Sequence, residues 1–243
     1  MAQKTVTRQG DAQIDTAQSK FGGASGLFDG TGDYLTIPDD ADWDIIGADF
    51  SIDFQMRLAT RNNGEGGWFG GQLDSGGSSW GIRYGYTSAG DMDNLEIFNY
   101  DIGLGDYTIL WGINLATKFA INTWYHIAFA KTGATIKMFI DGVSQTLYSS
   151  VDGTPTSCNG VFALGMRNDG YRPFNGWIDE YRISKGTNLI GTSNFTPPTS
   201  AYGYAASNVL LLHMDGTDAS PTFTDDSATQ DATAANHWLL MGV

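Results

Sequence analysis

The chain has 243 residues, enough for one substantial core and near the upper size of a single all-β domain. Its formal net charge is −14, with only 13 Lys plus Arg and no basic cluster, which excludes phosphate-driven binding of nucleic acid and disfavours anionic membranes. Glycine (32 residues) is nearly twice its usual ~7% share, while charged residues are only 16% and aromatics reach 13%, a composition for strands and tight turns rather than helices.

Residues 1–20 are polar and read as an N-terminal arm. The opening MAQKTVTRQGDAQ has no apolar segment, so no signal peptide is expected, and no apolar run is long enough to span a membrane. From Phe21 the pattern becomes strand, turn, strand. FGGASGLFDGTGDYLTIP gives two short strands around a Gly-Asp turn. In SIDFQMRL, Ile52, Phe54, Met56 and Leu58 share one face and Ser51, Asp53, Gln55 and Arg57 the other, which predicts a strand with one face on a core and one towards solvent. A short strand is expected at Trp68–Phe69, then WGIRYGY, LEIFNY, YTILWGI and WYHIAFAK. ATIKMFIDGVSQTLY reads as a hairpin turning at Asp141-Gly142. VFALGM and GWIDEYRIS close the series, and FTPPTSAYGY, with its prolines, cannot be a central strand. Short strands at 8–12-residue spacing predict an antiparallel two-sheet sandwich over residues 21–204. Residues 205–243 form a C-terminal strand and tail: NVLLLHMDG, a buried strand and turn, then a polar stretch with a candidate strand near Thr222–Thr224.

Four segments together resemble one family: GLFDGTGDYLTIPDD (26–40), DFSIDFQMRL (49–58), NTWYHIAFAKTGATIKMFIDGV (122–143) and FALGMRNDGYRPFNGWIDEYRIS (162–184). The chain resembles the laminin-G-like, concanavalin-A-like lectin/glucanase superfamily, in its pentraxin-like branch, of the type found in phage structural proteins. The resemblance implies a jelly-roll sandwich. It also implies an order: an apolar strand ending in an Asp-Gly turn, a Thr/Ser/Asp stretch, a Thr-Val-Thr strand, then a segment like Asp11–Gly23. Here Thr5-Val6-Thr7 leads straight into Asp11, and the expected first strand resembles NVLLLHMDG at the back of the chain.

Hydrolysis of a glycosidic bond needs two carboxylates across the scissile bond. The superfamily's Glu-x-Asp-x-x-Glu pattern is absent; Asp179 and Glu180 are adjacent and alternate in direction, and Glu96 has no carboxylate two residues away. No catalysis is expected. Asp91-Met92-Asp93-Asn94 gathers three oxygen side chains that suit Ca²⁺, set against the tendency of Asp and Asn to form turns; Asp29 with Asp33, and Asp39, Asp40 and Asp42, are further acidic loops. Carbohydrate binding would use aromatic faces beside polar groups: Trp68, Trp80, Tyr84, Tyr86 and Trp111, with Arg167, Asn168 and Asp169 in a turn. The competing reading puts those aromatics in the core. His126 and His213 sit inside strands and form no zinc cluster with His237; Cys158, the only cysteine, has no base beside it and permits no intrachain disulfide.

The displaced strand has two acceptors. Burying Val209, Leu210, Leu211, Leu212 and Met214 is worth several kcal/mol, at roughly 1.5–3 kcal/mol per side chain. The connection from Ser184 to Asn208, about 23 residues at up to ~3.3 Å each, reaches the chain's own first-strand slot or a neighbour's. A loose likeness of Asp231–Asn236 to Lys4–Gly10 tilts towards exchange between copies. The reading that results is a non-enzymatic structural and adhesion module of a phage virion: a capsid decoration, fibre or tail-associated subunit on the virion surface. It would assemble with itself or other virion subunits and bind a cell-surface glycan. The alternative is a stand-alone Ca²⁺-dependent lectin; a degraded glycoside hydrolase ranks third.

Overall fold

The computed structural model describes residues 3–45, 47–60, 66–85, 94–115, 119–151 and 158–228. The strands in chain order are β1 (Thr7–Gln9), β2 (Gln13–Asp15), β3 (Ser25–Asp29), β4 (Tyr34–Ile37), β5 (Phe50–Leu58), β6 (Gly67–Leu73), β7 (Ser79–Tyr84) and β8 (Asn94–Asp101). They continue as β9 (Asp106–Asn114), β10 (Trp124–Thr132), β11 (Thr135–Ile140), β12 (Val143–Ser144), β13 (Leu147–Ser150), β14 (Phe162–Gly165), β15 (Asn175–Lys185) and β16 (Asn208–Leu212). No α-helix occurs among the described residues, and no helix there is long and apolar enough to cross a membrane.

These strands form two antiparallel sheets of eight, the sandwich that the alternating pattern predicts. The first runs β1-β4-β14-β6-β7-β8-β9-β13; the second runs β12-β11-β10-β5-β15-β3-β2, with β16 added to β15. Phe50, Ile52, Phe54, Met56 and Leu58 of β5 face the core between the sheets, all without exposure. Phe54 packs on Phe69 (centroids 5.0 Å apart) and on Tyr181 (5.3 Å), and Phe50 stacks on Trp111 at 5.1 Å, so aromatic rings from both sheets fill the space.

The other face of β5 departs from expectation. Ser51, Asp53 and Gln55 are as buried as the core residues. The chain after β15 crosses this outer face as a strap: Ile190 and Phe195 pack on Ala128, Ala130 and Phe139, and Leu189 N–H donates to Ser51 Oγ at 3.2 Å. Sheet alternation says which side a residue faces, but not whether later chain covers that side.

Residues 3–20 are an arm that supplies two edge strands: β1 pairs with β4, and β2 with β3. The C-terminal strand lies beside its own β15, with Tyr181 opposite Leu212 and Ile183 opposite Leu210. One edge of β15 is taken by β5, so β3 (opposite Asn175–Ile178) and β16 share the other edge end to end. Val209 to Leu212 and Met214 are all buried there. In the single chain of this structure the strand adds to the chain's own second sheet. The N-terminal arm meets the segment after β16: Gln3 Nε2 donates to the Asp225 carbonyl at 2.5 Å and Lys4 N–H to Asp225 Oδ2 at 2.7 Å. Thr222–Thr224 is not a strand, though Phe223 reaches the core.

Candidate functional site

Four of the aromatic residues nominated from sequence cannot offer a ring to a ligand. Trp80, Tyr84 and Trp111 point into the core, in phase with Ile82 on β7 and with Ile113 on β9. Trp68 faces the opposite way but is equally sealed. Its indole lies over Gly71 and Gly81, cross-strand partners whose missing side chains make the groove, and its N–H donates to the Ala163 carbonyl at 2.9 Å. Phe98 closes the edge at 5.9 Å. Tyr86 lies outside the described residues.

Two of the nominated polar residues, Arg167 and Asp169, line an opening. A pocket of about 420 Å³ at one end of the first sheet is lined by the β6–β7 turn (Asp74, Ser75, Gly76, Gly77), by Arg83, Phe98 and Tyr100, and by Arg167 and Asp169. The 167–171 turn closes on itself through Arg167 N–H to the Tyr171 carbonyl (3.0 Å) and Gly170 N–H to the Arg167 carbonyl (2.9 Å). Arg167 grips Asp169 with two bonds, 2.8 and 2.6 Å. Burial works against the Asp169 charge, but this fork outweighs it and holds the carboxyl below its usual range. Asn168 turns inward instead, donating to the Leu73 carbonyl at 3.2 Å, which fixes the turn against β6.

Beneath the pocket Arg83 is bonded to Glu96 by Nε at 2.8 Å and lies over the Phe98 ring at 4.4 Å. Glu96 also accepts from Asn94 Nδ2 at 2.7 Å and from the Tyr148 hydroxyl. Glu96 is thus held by three neighbours on the outer face of β8. Beside the pocket, Ile102, which lies against Gly77, and Tyr171 of the 167–171 turn are exposed (50% and 58%). Asp74 and Tyr100 carried no signal in the sequence, because a turn Asp and a strand-end Tyr are common everywhere. The inward phase of Trp80 and Tyr84 was readable: both lie two residues from Ile82.

Among the acidic loops, Asp91 and Asp93 lie outside the described residues, and Asn94 is a buried strand residue tied to Glu96. A different set converges: carboxylate oxygens of Asp11, Asp29 and Asp33 lie within 4.8 Å of one another. Asp33 is buried and already accepts N–H bonds from Asp11 (2.8 Å) and Asp29 (3.0 Å). Burial, with the Asp29 charge adding to it, pushes its carboxyl up to about 6. Three hard oxygen donors fit a divalent cation such as Ca²⁺ as part of its six to eight oxygen ligands. Cys158 is buried with its thiol pushed up by burial, and donates to the Ser78 carbonyl at 3.3 Å.

A family model described as the concanavalin A-like lectin/glucanases superfamily matches residues 29–188. No curated protein sequence matches the chain. Among solved structures, domain 4 of AbnA, a GH43 extracellular arabinanase from Geobacillus stearothermophilus, in complex with arabinotriose, is similar at TM-score 0.55 and 18% identity, over 77% of this chain and 84% of that one. A putative carbohydrate-binding protein from Bacteroides ovatus is similar at 0.51 and 16%, over 88% of this chain and 53% of that one. The enzymatically active domain of tailspike protein 2 from bacteriophage CBA120 is similar at 0.59 and 12%, over 89% of this chain and 34% of that one. At these identities the likeness is one of fold. This chain spans about half of the second structure and a third of the third.

Proposed function

This chain belongs to the concanavalin A-like lectin/glucanases superfamily, and we propose that within it the protein is a non-enzymatic adhesion module of a phage virion that binds an uncharged glycan. The observation that carries this reading is the pocket at the end of the first sheet. Two acidic residues, Asp74 and Asp169, and two arginines, Arg83 and Arg167, line it, so it holds no net charge for an anionic sugar to pair with. Carboxylates and the Arg167 fork suit sugar hydroxyls, and Tyr100 offers a ring for an apolar sugar face. The arabinotriose complex of the arabinanase domain supports a carbohydrate ligand, and the likeness to a tailspike domain supports a particle-borne role. The engagement of Glu96 by Arg83, Asn94 and Tyr148 supports a structural rather than catalytic carboxylate.

A second reading, a Ca²⁺-dependent lectin, is favoured by the convergence of Asp11, Asp29 and Asp33. One experiment addresses both. The protein and its Tyr100→Ala and Asp169→Asn variants are applied to a glycan array with Ca²⁺ and with EDTA, folding being checked by circular dichroism. Binding to neutral glycans, weakened about tenfold or more in both variants, is expected, since losing one stacked ring or one charged hydrogen bond costs roughly 1–3 kcal/mol. Loss of binding in EDTA transfers the weight to the lectin reading. No glycan bound under either condition, or binding indifferent to both substitutions, overturns the pocket.

A further inference from the structure

Among the described residues, the return of the chain after β16 sits on buried acids, Asp179 and Glu180, that face one imidazole. Residues 213–227 leave β16 through Met214, whose φ is 60°, and fold back along it. Asp226 N–H donates to the Leu211 carbonyl at 2.7 Å, and Leu211 N–H to Asp225 Oδ1 at 3.1 Å. Ala219 and Ser220 pair with Ile14 at 2.8 and 2.9 Å, so the same segment grips β2. Beneath it β15 bulges between Asp179 and Arg182, with Glu180 in the left-handed region at φ 54°. A non-glycine residue held there marks a backbone bent to aim a side chain.

The bulge turns two adjacent, wholly buried carboxyls towards the segment's ends. Asp179 Oδ2 accepts N–H bonds from Lys20 (2.7 Å) and Phe21 (3.0 Å), while its Oδ1 is buried with no hydrogen-bond partner. Glu180 accepts from Tyr202 N–H (2.8 Å) and faces His213 Nδ1 at 2.9 and 3.0 Å. The Asp215 carboxylate lies against Gly22, over the place a Cβ would take.

The charged groups around Asp179 come from every adjoining element. The 16–24 loop offers only backbone N–H groups, its Lys20 ammonium lying over the Phe21 ring at 5.8 Å. Opposite it on β5 is uncharged Gln55. The returning segment brings His213, Asp215, Asp225 and Asp226, and beyond Glu180 stand Tyr202 and the Arg182–Asp53 pair. Asp225 is taken up by Lys4, Leu211 and Ser227. Among the described residues, Asp179, Glu180 and Asp215 thus face one imidazole, that of His213.

We propose that residues 213–227 form a proton-controlled latch, which holds β16 on β15 while Asp179 is a neutral acid and His213 an imidazolium, and slackens as they lose their protons. Slackening bares main-chain groups of β15 at Tyr181–Ser184, an edge on which an extended strand can add. Burial drives the Asp179 carboxyl up to about 7, with Glu180 and Asp215 adding to it. The bond to Glu180 raises His213, and burial raises Asp215 and Asp226. Every shift is upward. Each group's contribution is therefore complete below its unfolded value, near 3.8 for Asp and 6.5 for His, and is lost as pH rises through the folded value.

Hydrogen exchange of the full chain tests the latch between pH 5.5 and 8.5, with intrinsic exchange rates divided out. Amides of Leu210–Leu212 are compared with those of Ile127–Ala130 in the middle of β10. Protection of the first set is expected to fall by roughly tenfold or more relative to the second, the change one proton-linked group gives per pH unit. Asp179→Asn should remove most of that fall. If it does not fold, Asp215→Asn, on the exposed side of the cluster, should reduce the fall. Parallel loss of protection in both strands, or a variant that keeps the full pH dependence, overturns the latch.

Discussion

Asp53 and Asp179 are both fully buried and both border β15, one opposite Arg182 on β5 and the other on β15 itself. Their surroundings could hardly differ more. Asp53 takes two bonds from Arg182, each 2.9 Å, and a third contact from His126 at 3.3 Å. Burial works to raise its carboxyl, but the His126 bond and the Arg182 charge outweigh it and hold it below 3.8. Asp179 meets only two backbone N–H groups and other acids, and burial takes it to about 7. Desolvation is common to both; the counter-charge decides the direction. The ion pair also has a structural task. Arg182 lies over the Tyr202 ring at 4.4 Å, Gln55 donates to the Tyr202 hydroxyl at 3.3 Å, and His126 meets Phe195 edge-on at 5.6 Å. Asp53 thereby pins the strap that covers the outer face of the second sheet. Asp179 lies under a segment that its own charge would repel.

The comparison breaks most sharply at Asp53. Asp53→Asn leaves Arg182 buried beside a neutral partner, and a cost of about 3–5 kcal/mol in denaturant unfolding at pH 7 is expected. Because its folded value is lowered, the stability Asp53 provides is present above about 3.8 and lost as pH falls further. The variant should therefore lack that part of the acid limb. A loss under about 1 kcal/mol would mean that the apolar contacts of Phe195 and Ile190, and not the ion pair, hold the strap.

Much of this arrangement is legible in the amino-acid sequence. The alternation in β5 names its core face residue by residue, and the four ordered motifs imply the two-sheet sandwich. The displaced NVLLLHMDG strand is recognisable because five apolar residues near the chain's end need a slot. What alternation cannot convey is what later chain does to a sheet's outer face. Asp53 reads as solvent-facing, and only the crossing of Phe195 and Tyr202 makes it a buried charge. Trp68 misleads for a related reason: its outward phase is right, but two cross-strand glycines and Phe98 give it a cover. Asp179 and Glu180 read as alternating neighbours, since nothing in the letters announces a left-handed residue within a strand. The convergence of Asp11 with Asp29 and Asp33 depends on β2 pairing with β3, a long-range fact. The 167–171 turn stands out because Arg, Asn and Asp in a short loop are visible locally; its partners Asp74 and Tyr100 do not.

At Asp179 the expected sign reverses. Asp179→Asn keeps an acceptor oxygen for Lys20 and Phe21 and removes the charge, so the gain in stability at pH 8 should exceed the gain at pH 5 by on the order of 1–3 kcal/mol. Unfolding in urea at the two pH values measures this directly. Equal effects at both would detach Asp179 from proton linkage and leave only a packing change.

His213→Gln gives the smallest effect and the finest test. Gln can still donate one hydrogen bond to Glu180, so the substitution removes mainly the charge of the imidazolium. The ring is a quarter exposed, and solvent screening limits the loss to about 0.5–1 kcal/mol near pH 6. The folded value is raised by the Glu180 bond, so the loss should be full below 6.5 and fade as pH climbs past that raised value. Paired titrations of stability for the parent and the variant should converge once pH has passed that raised value. Curves that stay parallel would show that His213 acts through its shape. Convergence would show that a single proton on this ring partly offsets, for the returning segment, what Arg182 supplies permanently to the strap.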